Sequence, residues 1–215
     1  MQKKNNILFD LDGTLTDPML GITKSVRYAL NAFGISVDSL ESLTPFIGPP
    51  LAGSFREFYG FSEEEANRAL QIYREYFSQT GLFENEVYPG IPQLLSNLQK
   101  SGRHIFVATS KPTVYATQIL EHFGLSDFIT YIGGSELSGE RVEKEDVIDF
   151  VLKNNNINKE TAVMIGDRKF DIIGGKKRGL KTIGVLYGYG DEEEMTAAAP
   201  DRIAATVDDL ARILL

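Results

Sequence analysis

Apolar residues in this chain follow two rhythms. Short runs of three or four, such as Ile7-Leu8-Phe9, Ile105–Ala108 and Ala162–Ile165, end at polar or glycine-rich turns. Runs of that length without alternation predict strands buried on both faces. Five such strands are expected: one at 7–9, then 104–109, 128–132, 161–165 and 182–186. Elsewhere apolar positions recur every three or four residues, as in Ile22, Val26, Ala29, Leu30 and Phe33 before Gly34. That spacing predicts helices at 18–33, 51–59, 91–101, 113–123, 144–154, 169–178 and 207–214. Ser62 with Glu65 three residues on is a capping-box pattern and starts a further helix running to about residue 79.

The order of these elements carries the architecture. From residue 91 onward helix and strand alternate, which implies a parallel sheet with helices on both faces. The first strand is separated from the rest by a stretch that reads as helical throughout. The expected fold class is therefore α/β, with a core of residues 1–15 and 84–215 and an all-helical insert at 16–83. Asp191–Glu194 is an acidic run that reads as a solvated loop or a helix start.

Composition narrows the chemistry. The charge sum, 22 − 30 = −8, disfavours a nucleic-acid polymer as partner. Zero cysteines exclude disulfides, thiolate metal sites and a cysteine nucleophile. The longest apolar run is four residues, far below the roughly 20 a membrane-spanning helix needs. The opening MQKKNN is not followed by an apolar stretch of signal-peptide length, so a cytoplasmic location is expected. The chemistry must then rest on carboxylates, hydroxyls and lysines.

In an open parallel sheet, ligands bind beyond the carboxyl ends of the strands. The residues expected there are Asp10 and Asp12 after the first strand, Thr109, Ser110 and Lys111 after the second, and Asp167 and Asp171 after the fourth. Lys144 opens the helix after the third strand. A turn or a helix cap would account for any one of these alone. Four carboxylates gathered at one mouth would repel, by roughly 3 kcal/mol per pair at about 5 Å, so a cation is expected among them. An all-oxygen shell with room for water and phosphate suits Mg²⁺. A metal-held aspartate is a competent nucleophile towards phosphorus, and a neighbouring carboxylate can exchange protons with the leaving oxygen and with water. A hydroxyl, an ammonium and the main-chain N–H groups after Asp12 can hold phosphoryl oxygens.

Asp10-Leu11-Asp12-Gly13-Thr14-Leu15, Thr109 after an apolar strand, Lys144 and Gly166-Asp167-x-x-x-Asp171 resemble the four motifs of the haloacid dehalogenase superfamily. The resemblance runs in order along essentially the whole chain. It is greatest to the helical-cap branch that holds phosphoglycolate phosphatase-like and 5′-nucleotidase-like members. It implies a Rossmann-like parallel-sheet core with the 16–83 insert as cap, and hydrolysis of a small phosphorylated metabolite through an aspartyl-phosphate. It implies Asp10 as nucleophile, Asp12 as general acid/base that also gives a metal its carbonyl, Asp167 as a direct Mg²⁺ ligand and Asp171 as an outer one. Thr109 and Lys144 would hold the phosphoryl group, with Gly13 and Ser110 beside it. The third motif is a single lysine, for which Lys100, Lys111 and Lys153 compete. Lys144 is preferred because it stands in the first turn of a helix beside Glu143, Glu145 and Asp146, where the helix dipole disfavours a cation unless an anion is near.

The cap is expected to close over substrate and supply specificity, with Phe46 and Gly48 in its Phe46–Leu51 loop as contacts. Where the branch often has Thr-Asn-Lys, this chain has Thr109-Ser110-Lys111. Tyr187-Gly188-Tyr189-Gly190 reads as a loop after the fifth strand, with a place bordering the site as the alternative. Two other functions fit the same motifs: a phosphosugar mutase on this scaffold, and a non-catalytic regulatory protein of the same fold.

Overall fold

The structure, a computed structural model, describes residues 5–215. The opening residues 1–4, which bear on the expected absence of a leader, lie outside the described residues. In chain order the regular elements are β1 (Asn6–Phe9), β2 (Thr16–Asp17), α1 (Met19–Ala32), α2 (Leu51–Tyr59), α3 (Glu63–Tyr76), β3 (Glu86–Val87), α4 (Ile91–Lys100), β4 (His104–Pro112), α5 (Thr113–His122), β5 (Tyr131–Ser135), α6 (Lys144–Asn154), β6 (Ala162–Gly166), α7 (Lys169–Lys177), β7 (Lys181–Val185), α8 (Glu192–Ala198), β8 (Arg202–Ala204) and α9 (Val207–Leu214). The chain divides into two compact units, Met1–Asp17 with Val87–Leu215, and Pro18–Glu86. No helix among the described residues is long and apolar enough to cross a membrane.

The first unit is built on a six-stranded sheet in the order β5-β4-β1-β6-β7-β8, every pairing parallel. Side chains alternate between faces along a strand. Leu8, Phe106 and Met164 meet Val147, Ile148, Val151 and Leu152 of α6 in one core. Their strand neighbours Ile7, Phe9, Ile105, Val107, Val163 and Ile165 are just as buried, so the opposite face is covered too. This is why these strands read as unbroken apolar runs. β1 lies between β4 and β6, with Phe9 level with Val107 on one side and Ile165 on the other. The residues that follow each strand therefore emerge together at one edge.

Several elements of this unit differ from the periodicity or add to it. The strand expected at 128–132 is β5, Tyr131–Ser135, and Ser126–Phe128 forms a 3₁₀ turn instead. Gly133 and Gly134 look like turn residues but lie inside β5. A Cβ at Gly133 would strike Val151, and one at Gly134 would strike the Lys111 carbonyl, so packing rather than turning selects glycine there. A sixth strand, β8, closes one edge; its sequence, Arg-Ile-Ala, is too short and too exposed to announce itself. Asp191 caps the new helix α8, its Oδ1 accepting from the Glu194 N–H at 2.6 Å, so the acidic run is a helix start.

The second unit packs α1, α2 and α3 with a 3₁₀ turn at Glu41–Phe46. The capping box forms as read: Ser62 Oγ accepts from the Glu65 N–H at 3.2 Å, and Glu65 Oε2 accepts from the Ser62 N–H at 2.8 Å. α3 ends at Tyr76, short of residue 79, and the chain passes into a π-helical turn at Phe77–Gly81. A Cβ at Gly21 would collide with the Gly81 carbonyl. Only glycine lets α1 lie this close to that turn. β2 and β3, where the chain leaves and re-enters the first unit, pair with each other.

Candidate active site

Asp10, one step beyond β1, is buried and held on two sides. Its Oδ1 accepts from the Leu11 N–H at 2.7 Å and lies 2.7 Å from Lys144 Nζ. The same ammonium is 2.9 Å from Asp171 Oδ1 and donates to the Ala108 carbonyl at 3.2 Å. Lys144 thus stands on α6 with its head against the Ala108 carbonyl of β4, between carboxylates from the first and last motifs. Burial alone would pull its pKa down, but Asp10 and Asp171 outweigh that and hold it above the ordinary lysine value.

Asp167 follows β6 directly and is fully buried. Its Oδ1 accepts from Thr14 Oγ1 at 3.2 Å and its Oδ2 from the Tyr189 N–H at 2.8 Å. Burial, with Asp171 and Asp10 close by, pushes its pKa up to about 8. Asp171, in the first turn of α7, accepts from the Arg168 N–H at 3.1 Å. Its pKa is raised by burial against the opposing pull of Lys144. Asp10, Asp167 and Asp171 each offer an oxygen within 4.8 Å of the others.

With all three carboxylates ionised, one ammonium would leave two negative charges in this buried site. Both the charge and the all-oxygen donor set fit a hard divalent cation such as Mg²⁺. Burial first, and then the neighbouring Asp171 and Asp10, raise the Asp167 carboxyl.

Asp12 departs from the expected four-carboxylate cluster. Its side chain turns to Lys111 Nζ at 2.8 Å in a buried ion pair. Burial raises its pKa while Lys111 opposes the shift. Of the competing lysines, Lys111 and Lys144 reach this edge, whereas Lys153 pairs with Asp149 on the surface of α6 and Lys100 is exposed at the end of α4. Thr109 is buried, its Oγ1 accepting from the Lys111 N–H at 3.3 Å. Ser110 is half-buried and its carbonyl accepts from Ser135 Oγ at 2.7 Å.

Gly13 contributes by conformation rather than as an open donor. Its φ is +80°, a Cβ there would overlap the Asp167 carboxylate, and its N–H already donates to the Thr16 carbonyl at 2.8 Å. Phe46 also needs correction. It is 2% exposed, with its ring against Phe55 and Phe58, so it packs as core of the helical unit and does not line an open surface. Gly48 is half-buried at φ +106° in the loop that follows.

The family model for haloacid dehalogenase-like hydrolases matches residues 7–185. The chain belongs to that family. This haloacid dehalogenase-like hydrolase is 47% identical to a 5′-nucleotidase of Pseudomonas aeruginosa, over 97% of this chain and 95% of that one. It is 38% identical to the tyrosine-protein kinase PtkA of Mycobacterium tuberculosis, over 97% of this chain and 72% of the relative. Its fold superposes with a TM-score of 0.97 on the crystal structure of a predicted phosphatase from Clostridium acetobutylicum, at 51% identity and covering 99% of both chains.

The structure gives four further residues a defined place in the hydrolase's site: Lys111, Thr14, Tyr187 and Tyr189. Lys111 is expected at this edge two residues after Thr109, but its pairing with Asp12 is not legible from the spacing. Thr14 enters the sequence reading only as part of a motif, and Tyr187 and Tyr189 only as parts of a loop that the sequence leaves without a partner. Thr14 lies within the first motif, and the tyrosines follow β7 at the same edge of the sheet.

Proposed function

We propose that this haloacid dehalogenase-like hydrolase is a Mg²⁺-dependent phosphatase of small phosphomonoesters, nucleotide- or phosphoglycolate-like, working through an aspartyl-phosphate on Asp10. The observation that carries the reading is the meeting of Asp10, Asp167 and Asp171 near the strand ends, with Lys144 paired to Asp10 and Asp171. Asp10, Asp167 and Asp171 would hold the ion. Bound Mg²⁺ supplies neutralisation of phosphoryl charge.

In this reading a carboxylate oxygen of Asp10 forms the new bond to phosphorus as the ester P–O bond breaks. Lys144 and Thr109 bind the equatorial oxygens, where charge is spread in the transition state. Asp12 delivers a proton to the leaving oxygen and so releases the alcohol. It then takes a proton from water, whose oxygen attacks phosphorus and displaces the Asp10 carboxylate, giving inorganic phosphate. Lys111 fixes the rotamer of Asp12 through both steps.

The test is phosphate release from a panel of nucleoside monophosphates, phosphoglycolate and sugar phosphates, ranked by kcat/KM, with Mg²⁺ and with chelator. Release that requires Mg²⁺ and vanishes in Asp10→Asn is expected. A mutase would release little phosphate and need a bisphosphate primer. Absence of turnover across the panel with Mg²⁺ would favour the non-catalytic alternative.

A further inference from the structure

The Tyr187–Gly190 turn reads in sequence as a loop, and it lies against a fully buried carboxylate of the site. The Tyr189 N–H donates to Asp167 Oδ2 at 2.8 Å. The approach depends on two glycines. A Cβ at Gly188 would overlap both the Gly13 carbonyl and the Asp167 side chain, and one at Gly190 would overlap the Asp167 carbonyl. Neither glycine has a positive φ, so close approach, not backbone conformation, is what demands glycine.

The turn is fastened at several points. Tyr187 OH donates to the Thr14 carbonyl at 3.1 Å, and the Thr14 hydroxyl holds the other Asp167 oxygen. The Tyr187 ring packs edge-on against Tyr88, centroids 5.1 Å apart. Tyr189 OH donates to Asp17. Further along, Glu194 of α8 accepts from Arg168 Nε at 2.9 Å and from the Lys169 N–H at 2.8 Å. The residues just after Asp167 are thereby braced as well. Both Asp167 oxygens take their hydrogen bonds from neutral donors, which orient a carboxylate without cancelling its charge.

We propose that the Tyr187–Gly190 turn is a positioning element for Asp167, its main chain brought close by Gly188 and Gly190 so that the carboxylate faces Asp10 and Asp171 for Mg²⁺. The proposal rests on the reading of that cluster as a Mg²⁺ site. Groups that orient a metal ligand typically change affinity by about 10–100-fold when removed.

The test is titration of the metal-free full chain with Mg²⁺ alone by calorimetry, alongside circular dichroism and the metal-free Tm. Gly190→Ala pushes the turn off Asp167, Tyr189→Pro deletes the N–H donor, and Tyr189→Ala keeps the donor while deleting the ring. Gly190→Ala and Tyr189→Pro are expected to weaken Mg²⁺ binding by about 10-fold or more with the fold kept, and Tyr189→Ala to bind nearly as the native chain does. If Tyr189→Pro fails to fold, Gly190→Ala carries the decision. Native affinity in the two disruptive variants would overturn the proposal. So would an equal loss in Tyr189→Ala, which would give the role to the side chain. A native chain that does not bind Mg²⁺ would instead overturn the reading of the carboxylate cluster, so the two failures are distinguishable.

Discussion

The two units handle buried polarity in opposite ways. Among the described residues of the α/β unit the buried charged side chains are Asp10, Asp12, Arg103, Lys111, Lys144, Asp167 and Asp171, and all but Arg103 stand at the carboxyl edge of the sheet or in a helix turn beside it. In the helical unit no charged side chain is buried. Its buried polar groups are Thr23, Ser25 and Ser54, and each returns its hydroxyl to a carbonyl four residues back, at 2.6, 2.6 and 3.4 Å. The helical interior is otherwise aliphatic and aromatic, with Phe46, Phe55, Tyr73 and Phe77 at its centre. One unit derives its stability from burial of apolar surface. The other carries a cluster of like charges that a purely structural domain would not retain, and strain of this kind concentrates at functional sites.

Substitutions should therefore separate activity from stability according to the unit they strike. The largest effect is expected at Asp10→Asn. Loss of the nucleophile should lower kcat by about 10⁴-fold or more, while the metal-free Tm stays level or rises, because one of three mutually repelling carboxylates is gone. Phosphate release and a melting curve on the same sample check both halves. Next is Lys144→Met, which leaves buried carboxylates without their ammonium. A loss of about 3–5 kcal/mol in the metal-free protein is expected, and saturating Mg²⁺ should restore part of it by binding the folded state.

Phe46→Ala sharpens the contrast from the other side. Truncating a core aromatic should cost about 3–5 kcal/mol, yet Mg²⁺ affinity of the molecules that stay folded should match the native value in calorimetry. The smallest effect is expected at Ser62→Ala. Removing one half of the capping box should cost about 1 kcal/mol, read as a lower denaturation midpoint with kcat unchanged.

Much of this was legible in the chain. Fully apolar runs identify strands covered on both faces, because only such strands lack alternation. Ser62 and Glu65 announce a helix start, because the hydrogen bonds they form are local. Asp10, Asp167, Asp171 and Lys144 could be gathered in advance because the ends of parallel strands share one edge of a sheet. The register of β1 against β4 and β6 then brings them level.

What stayed hidden depends on distances that local pattern does not encode. Gly133 and Gly134 look like a turn until Val151 and the Lys111 carbonyl are seen to press on them. Phe46 looks like a loop residue until Phe55 and Phe58 close around it. Asp12 looks like a fourth member of the acidic cluster until Lys111 draws it aside. Periodicity and motif order, set by hydrogen bonding along the backbone and by which faces must be covered, determined the class of fold and the cast of the site. The partners of each buried charge were decided only by tertiary packing, because a group removed from water takes whatever compensating neighbour the fold brings within hydrogen-bonding reach.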